Sequence, residues 1–239
     1  MPWSAFPVNA RRRPLVFVGP LVVDPSSGFR NDADKIAYIE GAIKAPGTFP
    51  RGPGQVDGYP IISATEAFER LTFRKKTPAP SDALEVTAVR LGAAVFQTDR
   101  GPHRLPAWLF AIQNVRDTAK VLAVSPTSIF TARTTLDGRP PSVADARLGP
   151  DGRTLTVQFA GEPAGTRPCT ADYDLSVTES RTTVSVTVHE HAHDSEVPCA
   201  QPASVRQATT RLAAPLGVRV VLDGATSTAV AVTGADPPS

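Results

Sequence analysis

The chain has 239 residues, of which 41% are hydrophobic and 20% charged, and a formal net charge of +2. This length buries a core without metals or many disulfides, and so small a net charge excludes the basic footprint of a nucleic-acid partner. Twenty-four prolines and 17 glycines disfavour long helices and point to short elements joined by stiff turns.

The first apolar run, PLVFVGPLVV at 14–23, follows Arg11, Arg12 and Arg13. Gly19 and Pro20 interrupt it, and it is too short to cross about 30 Å of hydrocarbon, so the expectation is a buried strand and no transmembrane segment. No export signal and no lipid-attachment cysteine are recognised there. Residues 31–44, NDADKIAYIEGAIK, place Ile36, Ile39 and Ile43 on one side of a helix capped by Asn31 or Asp32. The Pro- and Gly-rich stretch 45–60 reads as a surface loop. In SATEAFERL, Ser63 and Glu66 have capping-box spacing, with Phe68 and Leu71 as an apolar stripe.

Strands are expected at 84–98 and 106–112, with Gly92 as a bulge and Trp108, Phe110 and Ile112 in the core. The intervening DRGPHRL presents Asp99, Arg100, His103 and Arg104 on a hairpin loop, a position where binding residues often sit and where charges also serve solubility. Residues 119–125 and 128–133 extend the sheet. The Gly- and Pro-bearing stretch 134–153 reads as a connector between an α+β domain (1–133) and an antiparallel β domain (154–239). In the latter, 155–161, 171–179, 182–192, 208–216, 218–224 and 228–233 are short alternating runs, the pattern of a small antiparallel sandwich or barrel. The fold class is mainly β with a smaller α+β N-terminal region.

Three of the four histidines fall in VSVTVHEHAHDSEVPC, at His189, His191 and His193. Pairing 171–179 with 182–192 about a turn at Ser180 and Arg181 sets Tyr173 against Val188, Leu175 against Val186 and Val177 against Val184. One face is then apolar, and the histidines lie on the polar face, with Asp172 opposite His189. Alternate strand positions stand about 6.5–7 Å apart, a span from which imidazoles can converge on zinc or another transition metal, with Asp172 completing the shell. The plainer alternative is a solvated strand face with no cofactor; titration of these rings on acidification is a third. Cys169 and Cys199 flank the hairpin, and a disulfide between them is favoured over a mixed Cys/His metal site because no zinc-finger spacing occurs. A bridge favours an extracytoplasmic compartment. Phosphate-loop, dinucleotide, nucleophile-elbow and HExxH motifs are absent from the sequence.

The segment LEVTAVRLGAAVFQTDRGPHRLPAWLFAIQNV, with the later TTRLAAPLGVRVVLDGATSTAVAV, resembles uncharacterised secreted proteins and lipoproteins of actinobacteria, over residues 60–233. The resemblance implies location outside the cytoplasm and carries no activity. The sequence is therefore read as a non-enzymatic extracytoplasmic structural or ligand-binding protein with an unidentified protein or small-molecule partner. A metal-binding protein or metal-dependent hydrolase is the alternative.

Overall fold

The computed structural model describes residues 1–73, 83–132, 142–165, 168–193 and 203–234. These form two compact units. A central unit comprises Gly19–Phe96 and Pro102–Ile129, and a terminal unit comprises Met1–Val18, Gln97–Gly101 and Phe130–Ser239. This division differs from the expected boundary at 133: the N-terminal eighteen residues and the tip at 97–101 go with the C-terminal part of the chain. The run 14–23 is divided accordingly, because Gly19 and Pro20 interrupt it. Leu15 and Val16 are buried in the terminal unit, and the paired strand is only Val22–Val23.

In chain order, the central unit holds β1 (Val22–Val23), α1 (Asp32–Ile39), β2 (Ile43–Lys44), β3 (Gln55–Val56), β4 (Tyr59–Pro60), α2 (Ala64–Thr72), β5 (Leu84–Thr98), β6 (Gly101–Ile112) and β7 (Ala119–Leu122). One sheet runs in the order β1-β7-β6-β5-β2. Its core gathers Trp108, Phe110, Ile112 and Val121 of the sheet with Ala64, Ala67 and Leu71 of α2. Ser63 caps α2 by accepting the Glu66 N–H at 3.1 Å, as its spacing predicts. The stretch expected as loop folds back as β3 and β4, because Asp57 and Gly58 take the two positive φ values, 50° and 76°, that a tight hairpin turn requires.

The expected helix at 31–44 is shorter and turned. Asn31 caps α1 by accepting the Asp34 N–H, but the buried residues of the helix are Asp34 and Tyr38. Ile36 and Ile39 are 54% and 53% exposed, and Ile43 belongs to β2. Helical spacing identifies residues that share a side; it does not say which side faces the core. Gly92 serves close packing: a Cβ there would meet Leu109 Cδ1 at 2.7 Å. Residues 126–128 form a short 3₁₀ turn where a strand start was expected, and 133 lies outside the described residues.

The terminal unit continues with β8 (Asp145–Leu148), β9 (Thr154–Gly161), β10 (Ala171–Glu179), β11 (Thr183–Ala192), β12 (Ser204–Arg211), β13 (Val220–Asp223) and β14 (Val232–Thr233). Two sheets, β10-β11-β13 and β12-β9-β8-β14, share one core of Leu155, Val157, Phe159, Val184, Val186 and Val221 with Leu212 and Leu216. This is the expected sandwich with two corrections. The pairs β11–β13 and β8–β14 are parallel, and β8 lies inside the stretch taken as a connector. Its four residues carry too little apolar signal to be seen alone, and partners on both sides define it.

Candidate functional site

The β10–β11 hairpin carries the sequence-predicted histidines. Its turn lies one residue further along than expected. The Ser180 hydroxyl accepts the N–H groups of Thr182 at 3.1 Å and Thr183 at 2.9 Å, and the Ser180 N–H bonds the Thr183 carbonyl at 2.8 Å. Register therefore shifts by two residues: Asp174 faces His189, Asp172 faces His191, and Leu175 faces Val188. A two-residue slip preserves which face each side chain occupies. Val184 and Val186 are buried, and His189 and His191 are exposed.

Each imidazole reaches diagonally to its own oxygen on β10. His189 Nε2 and Ser176 Oγ share a 2.7 Å hydrogen bond, and His191 Nε2 lies 2.8 Å from Asp174 Oδ1. His193 Nε2 lies 3.2 Å from Asp172 Oδ2, without hydrogen-bond geometry. The right-handed twist of a two-stranded ribbon favours such diagonal pairs. The rings form a ladder and do not converge, and among the described residues no group of three His, Cys, Asp or Glu side chains is arranged to hold a metal ion.

The inner rim of the hairpin is occupied by Tyr173. Its hydroxyl accepts the Glu162 N–H at 2.7 Å and donates to Glu190 Oε2 at 3.1 Å. Burial pushes this phenol above its ordinary value, and the Glu190 carboxylate adds to the effect. Cys169 sits just before β10 with a left-handed φ of 64°, whereas Cys199 lies outside the described residues.

The DRGPHR segment is not a free charged loop. Asp99 and Arg100 form the β5–β6 turn and are 1% and 8% exposed. Both oxygens of Asp99 accept from the Arg13 guanidinium, at 3.1 Å from Nη1 to Oδ1 and by a closer contact from Nη2 to Oδ2. Arg13 Nε also donates to the Val218 carbonyl at 3.0 Å, and Arg100 Nη2 donates to the carbonyls of Gly217 and Arg219 at 2.7 and 2.8 Å. His103 is half-buried and Arg104 exposed along β6, which begins at Gly101 and not at 106. Of the four residues expected on one loop, Asp99 and Arg100 are thus buried together at the turn, 3.9 Å apart, whereas His103 and Arg104 lie along β6.

A hollow of about 720 Å³ in the central unit escaped sequence reasoning. Arg30, Asp34, Ile36, Lys44, Glu85 and Asn114 line it, and a neighbouring hollow of about 590 Å³ shares Arg30 and Asn114. Arg30 pairs with Asp34 at 3.0 Å and Lys44 with Glu85 at 3.8 Å. The Arg30 N–H bonds the carbonyl of Asn114, whose φ of 64° turns the chain here. The available sequence signal was the (i, i+4) Arg30–Asp34 pair beside Ile36. The rest of the lining is brought together by tertiary folding. No family model matches the chain, and neither the curated proteins nor the solved structures contain a match to it.

Proposed function

We propose that the chain is a non-enzymatic, extracytoplasmic binding protein whose ligand is a small molecule bearing both charges and an apolar group. The observation that carries this reading is the hollow beside α1. It offers a half-exposed isoleucine, Ile36, between ion pairs of both signs, Arg30–Asp34 and Lys44–Glu85. A mixed lining of this kind orients a ligand by a few polar groups while burying its apolar part. Charges already paired with each other exchange partners for a ligand's ammonium and carboxylate at little net cost.

The compartment rests on the resemblance to secreted actinobacterial proteins; the expected partner of Cys169, Cys199, lies outside the described residues. Free amino acids and dipeptides titrated into ¹⁵N-labelled protein test the binding reading. Amide shifts should cluster at Arg30, Asn31, Ile36, Lys44 and Asn114 and saturate. Absent or scattered shifts at millimolar ligand would refute it.

A further inference from the structure

The two hollows of the central unit differ in charge. The larger is lined by three carboxylates, Asp34, Glu40 and Glu85, against two cations, Arg30 and Lys44. The smaller is lined by Arg30 and Arg116, with no carboxylate among the described residues around it. The wall they share, Arg30 and Asn114, belongs to a short antiparallel ribbon. In it Phe29 pairs with Val115, the Arg30 N–H bonds the Asn114 carbonyl at 2.9 Å, and the Arg116 N–H bonds the Gly28 carbonyl at 3.0 Å. Phe29 and Val115 pack on the core, so alternation puts Arg30 and Arg116 on the outward face as diagonal neighbours. Gly28 makes room for the second of them: a Cβ there would meet Arg116 Cβ at 2.8 Å.

Most of these charges cancel in pairs. Asp34 holds Arg30 through Nε and Nη2, and Lys44 lies 3.8 Å from Glu85. One charge of each sign is left over. Arg116 has no ion pair or side-chain hydrogen bond among the described residues, and the neighbouring Asp117 is taken by Lys120 at 3.0 Å. Glu40 has no ion pair among the described residues either. It ends α1, whose last turn carries no basic residue and whose carbonyl end is already negative.

Building on the binding reading above, we infer that the two hollows together hold a short extended peptide with both ends free. Its terminal ammonium meets Glu40, its apolar side chains lie over Ile36, and its terminal carboxylate meets Arg116 and the Nη1 of Arg30, which Asp34 leaves unused. The eight residues of α1 separate Glu40 from the arginine end, a rise of about 12 Å. An extended chain advances about 3.3 Å per residue, so an amino acid or dipeptide engages one end only, whereas about three to five residues reach both.

The test is titration of the ¹⁵N-labelled full chain with the peptide Ala-Leu-Leu-Ala, with its C-terminal amide and its N-acetyl form, and with Ala-Leu as the one-ended control. Ala-Leu-Leu-Ala should bind more tightly than Ala-Leu and move the amides of Gly28, Glu40, Val115 and Arg116 in one saturable process. Amidation and acetylation should each weaken binding about two- to fivefold, the scale of an exposed ion pair. Amidation should cost less in Arg116→Gln, and acetylation less in Glu40→Gln. Both positions are exposed, and the dispersion of the amide spectrum shows that each variant is folded. Binding of Ala-Leu-Leu-Ala no tighter than that of Ala-Leu, or end-blocking costs that neither substitution changes, would overturn the two-ended assignment while leaving the larger hollow a binding site. No saturable shift with any of the peptides would overturn both.

Discussion

The two units hold themselves together by different means. The central unit has an apolar core in which Trp108 and Phe110 pack against α2, and the buried Trp108 indole N–H donates to the Ile62 carbonyl at 3.0 Å. The terminal unit has an apolar sandwich core as well, but its distant segments are fastened by buried ions. Arg13 and Asp99 join residues far apart in the chain, Arg219 binds Glu179 at 2.6 Å, and the fully buried carboxylate of Asp223 accepts from Ser142, Val143 and Thr226. A unit assembled from three separated stretches gains register from such directional contacts, which apolar packing alone specifies poorly.

This contrast predicts unequal responses to substitution. The largest effect should follow Arg13→Ala, which removes both hydrogen bonds to the buried Asp99 carboxylate and leaves it only the longer contact with Arg100, at 3.9 Å. The expected loss is about 3–5 kcal/mol in urea unfolding, the usual penalty for breaking a buried pair. A loss below about 1 kcal/mol would mean that the buried ions do not fasten the terminal unit.

Acid should act next, again on the terminal unit. Burial pushes the Asp223 carboxyl up, but hydrogen bonds from Ser142, Thr226 and Val143 outweigh it and leave the group below its ordinary value. Glu179 is held low chiefly by Arg219. A carboxyl lowered in the folded state contributes stability that is complete above its unfolded value, about pH 4. That contribution is lost as the pH falls through the folded value. Urea midpoints measured downward from neutral pH should drop, and Asp223→Asn should flatten the drop while lowering stability at neutral pH. An unchanged acid slope in that variant would remove Asp223 from the account.

Trp108→Phe, in the central unit, should cost less, about 1–3 kcal/mol for an orphaned buried carbonyl and lost packing, with no change in pH dependence. A loss equal to that of Arg13→Ala would erase the distinction between the units.

The β10–β11 hairpin was legible because strict alternation assigns faces, and that assignment survives the two-residue error in register. The error came from Ser180, whose hydroxyl draws the turn onto Arg181 and Thr182 through bonds that composition does not display. The orientation of α1 was illegible for another reason. Ile36 and Ile39 satisfy the helical rule equally well facing water, and only the burial of Tyr38 and Asp34 decides between the faces. The burial of Asp99 and Arg100 was hidden because a short charged turn beside glycine is ordinary surface text. Its partners, Arg13 and the carbonyls near Val218, are remote in the chain.

The chain leaves one unit for the other after Val18, Phe96, Gly101 and Ile129. During synthesis the central unit is complete once Ile129 has emerged, whereas Arg13 must wait for the Val218 carbonyl, and Arg100 for those of Gly217 and Arg219, before all of their acceptors exist. A chain stopped anywhere between those points would carry a finished central unit and two arginines short of their carbonyl acceptors. The stretch Gly217–Arg219 thus completes the bonding of Arg13 and of Arg100 at the β5–β6 turn, two sites far from it in sequence.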